Sequence, residues 1–68
     1  EELSELYQAL GMLSAREQTY LLYRFGFTDD MAHPLLGTAL HFHLSESRAK
    51  RTEEQALDNL WLELPWWF

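Results

Sequence analysis

The sequence contains no cysteine, so neither a disulfide framework nor a thiolate metal site can hold this 68-residue chain together. No apolar run approaches the length of a membrane-spanning helix, and no basic-then-apolar signal segment opens the chain. These absences favour a cytoplasmic protein that does not bind membranes. The chain also has no Gly-, Ser- or Pro-rich linker and no repeat. We therefore expect one domain over residues 1–68 and, since residue 1 is not methionine, a fragment of a longer chain.

Basic residues are scarce. Five lysines and arginines face eleven acidic residues, which gives a net charge of −6. Because phosphate neutralisation supplies most non-specific affinity for nucleic acids, DNA binding by this chain requires a local basic patch. In contrast, hydrophobic residues make up 47% of the chain and aromatic residues 15%, which is enough for a packed core and excludes a disordered chain.

The first half of the sequence predicts two helices. Apolar residues at helical spacing indicate a helix over residues 2–11, with Gly11 as its stop. Ser14 and Glu17 form a capping-box pattern that starts a second helix over residues 15–25. Gly26 can take the left-handed conformation that ends it.

Two more helices follow. Pro34 suits the first position of a helix over residues 35–42, whose apolar positions are Leu35, Leu36, Ala39, Leu40 and Phe42. Ser45 is a good N-cap for a longer helix that begins at Glu46 and is ended by Pro65. Its expected inward positions are Ala49, Thr52, Ala56, Leu57 and Leu60. No strand-period run is present, so we expect an all-α, compact four-helix domain.

A short helix, a brief turn and a longer helix form the helix-turn-helix layout, whose second helix usually enters the DNA major groove. The exposed side of this second helix carries Arg48, Lys50 and Arg51. The same charges also suit an ordinary solvated helix, because Glu46, Lys50 and Glu54 stand four residues apart. Charge alone leaves both interpretations open.

Three segments together resemble the fourth conserved region of bacterial housekeeping-type sigma factors. They are LSAREQTYLLYRFGF (13–27), HPLLGTALHFHLSESRAK (33–50) and EEQALDNL (53–60). The resemblance implies a helical domain at the end of the sigma subunit of RNA polymerase. Its helix-turn-helix would read the upstream promoter element, and its apolar face would bind the flap of the polymerase β subunit. Activators and anti-sigma proteins grip the same region in that family.

The resemblance also assigns roles to residues. Arg48 and Arg51 would be the main recognition residues, Glu46 and Ser47 would tune base choice, and Lys50 would contact phosphate. Two further residues complete this DNA-binding set: Ser45 would open the recognition helix, and Arg24 would contact phosphate at the end of the second helix. Glu46 stands where the family commonly has a guanine-reading arginine, and a carboxylate suits cytosine N4 instead. Such departures indicate a divergent relative.

An alternative function is a protein-interaction module that binds polymerase, an anti-sigma protein or itself, with DNA reading weak or lost. The net charge, Glu46 and the aromatic tail favour it. Trp66, Trp67 and Phe68 either fold back over the first helix to fill the core or form a partner-binding patch.

Catalysis and metal binding are not expected. The chain has no nucleophile elbow and little room for a substrate pocket, so we predict a protein that is not an enzyme and has no cofactor. His41 and His43 are two residues apart at a helix end and a turn, so their rings point in different directions. We expect them, with His33, to be solvated polar residues around Phe42.

Overall fold

The computed structural model describes the backbone of residues 2–27 and 30–67, and the side chains from residue 4 onward within those ranges. The chain forms four helices: α1 (Glu2–Gly11), α2 (Ala15–Phe25), α3 (Leu35–His41) and α4 (Glu46–Glu63). No strand occurs in the described ranges. The all-α, four-helix prediction is therefore confirmed. The predicted helix limits agree for α1 and α2, and α3 is one residue shorter than predicted.

Local capping explains the limits of α2 and α4. The Ser14 Oγ accepts the backbone N–H of Glu17 at 3.2 Å, and the Ser45 Oγ accepts that of Arg48 at the same distance. Each hydroxyl thereby satisfies a donor that the start of a helix leaves unpaired. Gly26 ends α2 in the left-handed conformation, with φ of 81°. At the other end of α4, Leu64 is extended before Pro65, as a residue preceding proline prefers.

Three details of the termini differ from prediction. Pro34 is the N-cap of α3 rather than its first helical residue, and its carbonyl accepts from both the amide and the hydroxyl of Thr38. Gly11 is the last residue of α1, but it does not take a left-handed φ. The Glu17 carboxylate accepts from Asn59 Nδ2 at 2.7 Å, so this part of the capping box links α2 to α4 instead.

The core lies around α4, which packs against each of the other three helices. Two alanines of α4, Ala49 and Ala56, are fully buried, because small side chains let the neighbouring helices approach closely. The larger buried side chains come from α1, α2 and the connection between them. They are Leu10, Leu13, Tyr20 and Leu21, together with Thr38 of α3.

One position predicted to face inward, Leu57, does not, and two apolar positions of α3 are exposed as well. Leu36 and Leu40 are 57% and 70% exposed, because α3 buries only the stripe that contains Thr38 and Ala39. Leu57 is 39% exposed and lies at the edge of a groove described below. The seven residues of α3 form about two turns, so one side of it covers the core and the other faces solvent.

Candidate functional site

The start of α4 projects a set of exposed polar side chains. Ala49 is buried and anchors this part of the helix on the core, while its neighbours in the first two turns face solvent. All six α4-region residues predicted to bind DNA are exposed: Ser45, Glu46, Ser47, Arg48, Lys50 and Arg51. The structure therefore leaves all six residues accessible around the start of α4, and we call this exposed region the α4 basic face.

The connection from α3 to α4 fixes the position of this face. His43 has a φ of 59°, which is the left-handed conformation that residues other than glycine rarely adopt. The Leu44 amide donates to the Ala39 carbonyl at 2.8 Å, and the Leu44 side chain packs against the core cluster. Leu44 thus lies between the two helices.

A cleft next to the α4 basic face brings in an arginine that the sequence prediction did not include. Arg16 of α2 and Arg48 of α4 line the same cleft of about 160 Å³. Its other lining residues are Tyr20, Phe42, Leu44 and Thr52. Arg16 lies one helical turn before the buried Tyr20, so its position over the α2–α4 junction follows from helix spacing once the buried face of α2 is known.

Arg24 lies in a different environment from the other predicted DNA-binding residues. Its Nε donates to the Glu53 carboxylate at 2.8 Å, and a terminal guanidinium nitrogen donates to the His33 carbonyl at 2.8 Å. The Arg24 and Glu53 side chains are only 23% and 18% exposed. Arg24 therefore links α2, the connection before α3, and α4. Its predicted contact with phosphate remains a prediction, but its main partner in this structure is Glu53.

The Glu53 carboxylate also accepts the hydroxyl of the buried Tyr20 at 3.2 Å. The pKa of Tyr20 is raised from 10.0 to about 12, mainly by burial and then by the charge and hydrogen bond of Glu53, while the charge of Arg24 lowers it in part. The folded chain therefore holds the phenol proton more tightly than the unfolded chain does.

We expect alkaline pH to destabilise the domain through Tyr20. Because its folded pKa lies above its unfolded pKa, the contribution is complete below about pH 10 and is lost as pH rises towards 12. The measurement is the free energy of unfolding in urea at a series of pH values across this window. Tyr20→Phe should reduce the fall in the free energy of unfolding with pH, whereas Tyr7→Phe, which alters a half-exposed ring, should leave that fall unchanged. An unchanged decline in Tyr20→Phe would contradict this assignment.

The histidines take part in an aromatic stack. The Tyr23 ring lies between His33 and His41, with ring centroids 3.8 Å and 3.9 Å away and the planes within 11° of parallel. The His33 Nδ1–H donates to the Tyr23 carbonyl at 2.8 Å, so His33 satisfies a carbonyl near the end of α2. His41 and His43 are exposed as predicted, but His33 is half-buried, which corrects its expected solvation. In the described ranges, no three His, Cys, Asp or Glu side chains are placed to hold a metal ion.

The C-terminal aromatic residues are on the surface. Trp66 is 91% exposed and Trp67 is 60% exposed, so the interpretation that they fill the core is wrong. The tail does return to α1, where Trp67 Nε1 donates to the Glu5 carboxylate at 3.4 Å. The core has no space for indole rings beside Ala49 and Ala56, because the other helices already cover these alanines. Phe68 lies outside the described residues.

An apolar groove of about 220 Å³ lies on another side of the domain. It is lined entirely by apolar side chains from α1, α2, the connection after α2, and α4. They are Leu10, Leu21, Phe25, Phe27, Leu57 and Leu60. Phe25 and Leu57 are each 39% exposed, so the groove is open at its edges to a partner side chain.

No protein-family model and no curated protein matches this sequence. The sigma-like interpretation thus depends on the motifs quoted above. Across the described ranges, none of the helices is both long and apolar enough to cross a membrane.

Proposed function

We propose that this domain reads promoter DNA through the α4 basic face, as the promoter-recognition domain of a sigma factor or of a sigma-like initiation regulator. The observation that carries the proposal is the first two turns of α4: they are capped by Ser45, anchored by the buried Ala49 and expose Arg48, Lys50 and Arg51. A helix presented in this way suits entry into the major groove.

The distribution of charge supports the same proposal. Of the five basic residues in the chain, Arg48, Lys50 and Arg51 are on the α4 basic face and Arg16 borders the adjacent cleft. A chain with net charge −6 thus presents most of its positive charge around the start of α4, where it can neutralise phosphates. We propose that Arg48 and Arg51 contact base edges and that Lys50 and Arg16 contact phosphates. Glu46 and Ser47 would tune base choice from the exposed first turn.

RNA polymerase is the second partner that we propose. The apolar groove between α1, α2 and α4 is lined by six apolar side chains and suits an aliphatic or aromatic side chain from the β flap. Binding to polymerase would add to the affinity that the acidic domain has for DNA on its own. The domain would then act in the cytoplasm as part of a polymerase complex.

The test is fluorescence anisotropy of a labelled duplex with a housekeeping-type upstream promoter element, compared with a scrambled duplex over a salt series. We expect Arg51→Ala to lose about 1–3 kcal/mol of discrimination between the two duplexes. Arg16→Ala should weaken the binding of both duplexes alike and reduce the slope of binding affinity against salt concentration by about one. Glu54→Ala, at an exposed position farther from the N-terminus of α4, is the control and should not weaken the binding of either duplex.

If Arg51→Ala lost the same affinity for both duplexes, the role of Arg51 as a base reader would be contradicted. Arg24→Ala is a poor test of phosphate contact, because it removes the partner of the half-buried Glu53 and would also destabilise the fold. If the wild-type domain binds neither duplex at low salt, the assay should be repeated with polymerase core.

The second candidate function is a protein-interaction module that binds polymerase, an anti-sigma or activator protein, or another copy of itself. The exposed Trp66 and Trp67 favour it, because adjacent large aromatic side chains on a surface are typical of interaction sites. Binding to a protein that survives high salt and is lost in Trp66→Ala would favour this function over DNA reading.

A further inference from the structure

A groove runs between the ends of α1 and α4, on the opposite end of α4 from the basic face. About 600 Å³ in volume, it is bordered by Glu5 of α1 on one side and by Glu63, the last residue of α4, on the other. Its remaining lining residues are Gln8, Ala9, Gly11, Met12 and Pro65. We call it the tail groove. Ala9 of the lining is buried and Met12 is 69% exposed, so part of the apolar lining is open to solvent.

The electrostatics of the tail groove favour a cation. Two carboxylates border it, and the last residues of α1 and α4, Gly11 and Glu63, are both part of its lining. The C-terminus of a helix carries a partial negative charge that is normally matched by a basic side chain. The last turn of α1 and the last turn of α4 contain none. Lysine and arginine are also missing from the described lining of the groove.

Exposed tryptophans lie beside the tail groove. A hollow of about 210 Å³ is formed by Trp61, Leu64, Pro65 and Trp66, and Pro65 is shared with the groove. Trp61 is 71% exposed and Trp66 is 91% exposed, and the Trp66 and Trp67 rings meet edge to face at 5.7 Å. Indole faces attract both apolar side chains and the cations of lysine and arginine.

We propose that the tail groove and the tryptophan hollow together bind a basic, apolar peptide segment of a partner protein. A lysine or arginine of that segment lies between Glu5 and Glu63, and a neighbouring aliphatic side chain fills the hollow against Trp66. Residues 48 and 63 are separated by about 20 Å along α4, so this surface is distinct from the α4 basic face. It does not require that the domain bind DNA.

Intrinsic fluorescence is a local probe for this proposal, because all three tryptophans of the chain are in this region. The full chain is titrated with a synthetic amphipathic leucine–lysine peptide. Two further peptides separate the contributions: a leucine–glutamate peptide of the same pattern, and a lysine–serine peptide. We expect saturable binding of the leucine–lysine peptide that weakens with salt, weaker binding of the lysine–serine peptide, and none of the leucine–glutamate peptide.

Two pairs of variants locate the binding site. Trp66→Ala should weaken binding of the leucine–lysine peptide about tenfold, whereas Leu40→Ala, which shortens another exposed apolar side chain on α3, should not. Glu63→Gln should weaken binding of the same peptide several-fold, whereas Glu54→Gln, which removes the same charge elsewhere on α4, should have little effect. For the variants, peptide fluorescence anisotropy replaces tryptophan emission as the measurement.

Three results would overturn the proposal. One is equal binding of the leucine–lysine and leucine–glutamate peptides. Another is equal weakening by Glu63→Gln and Glu54→Gln, which would indicate attraction to the net charge alone. The third is a tryptophan emission shift that depends on protein concentration without peptide, which would indicate a second copy as the occupant. Failure of DNA binding in the anisotropy assay would leave these expectations unchanged, so the two proposals are tested separately.

Discussion

Glu53→Ala is expected to lower the free energy of unfolding by about 2–4 kcal/mol. The Glu53 carboxylate accepts hydrogen bonds from Arg24 Nε and from the Tyr20 hydroxyl. Its removal leaves the buried Tyr20 hydroxyl without this acceptor and a largely buried guanidinium without its counter-ion. A domain of this size has a total stability of roughly 3–10 kcal/mol, so the variant would lose a large part of it.

The measurement is urea denaturation followed by circular dichroism, with Glu54→Ala as the control. Glu54 is the next residue and is exposed, so its replacement makes the same change in charge and should alter stability by no more than about 0.5 kcal/mol. Glu53→Gln keeps an acceptor oxygen but removes the charge, and it should fall between the two. Equal stabilities of Glu53→Ala and Glu54→Ala would show that the Arg24–Glu53–Tyr20 contacts contribute nothing net.

Gly26→Ala is expected to destabilise the domain by at least about 2 kcal/mol. Gly26 has a φ of 81°, a conformation that costs other residues about 1–2 kcal/mol. An added Cβ would also lie 2.7 Å from the Ala32 amide nitrogen and 2.9 Å from the Met31 carbonyl carbon. These are backbone atoms of the connection that leads to α3, so they cannot move away without disturbing the hydrogen bonds between His33 and the end of α2.

Gly11→Ala is the matched control, because a Cβ at this helical position meets nothing within 4 Å. Alanine also has the higher helix propensity, so this variant should be neutral or more stable by up to about 1 kcal/mol. Thermal unfolding of the two variants beside the wild type is the measurement. If both glycine replacements changed the melting temperature in the same direction and by the same amount, close packing at Gly26 would be disproved.

The two proposed binding surfaces differ in charge and lie at opposite ends of α4. The α4 basic face is near the N-terminus of α4, and the tail groove, with its carboxylates, is at the other end. A single helix thus presents opposite charge at its two ends. DNA at one end and a basic segment at the other would not compete for the same side chains, and both could bind at once.

The sequence by itself determined the four helices and most of their ends, because these depend on neighbouring residues. The hydroxyls of Ser14 and Ser45 each cap the amide three residues ahead. Gly26 ends α2 because glycine readily adopts the left-handed conformation, and Pro65 ends α4 because it restricts the residue before it. The exposure of Arg48, Lys50 and Arg51 also followed from helix spacing around the buried Ala49.

Only the tertiary structure decided which partners the side chains take across the domain. Arg24 and Glu53 are 29 residues apart in sequence, and no local pattern indicates that they pair. Arg16 reaches the cleft beside Arg48 only because α2 packs on α4. Leu36 and Leu40 have the spacing of a buried face but remain exposed, because the neighbouring helices cover only one stripe of α3. Trp66 and Trp67 are on the surface for a related reason: the space next to the alanines of α4 is already occupied by the other helices.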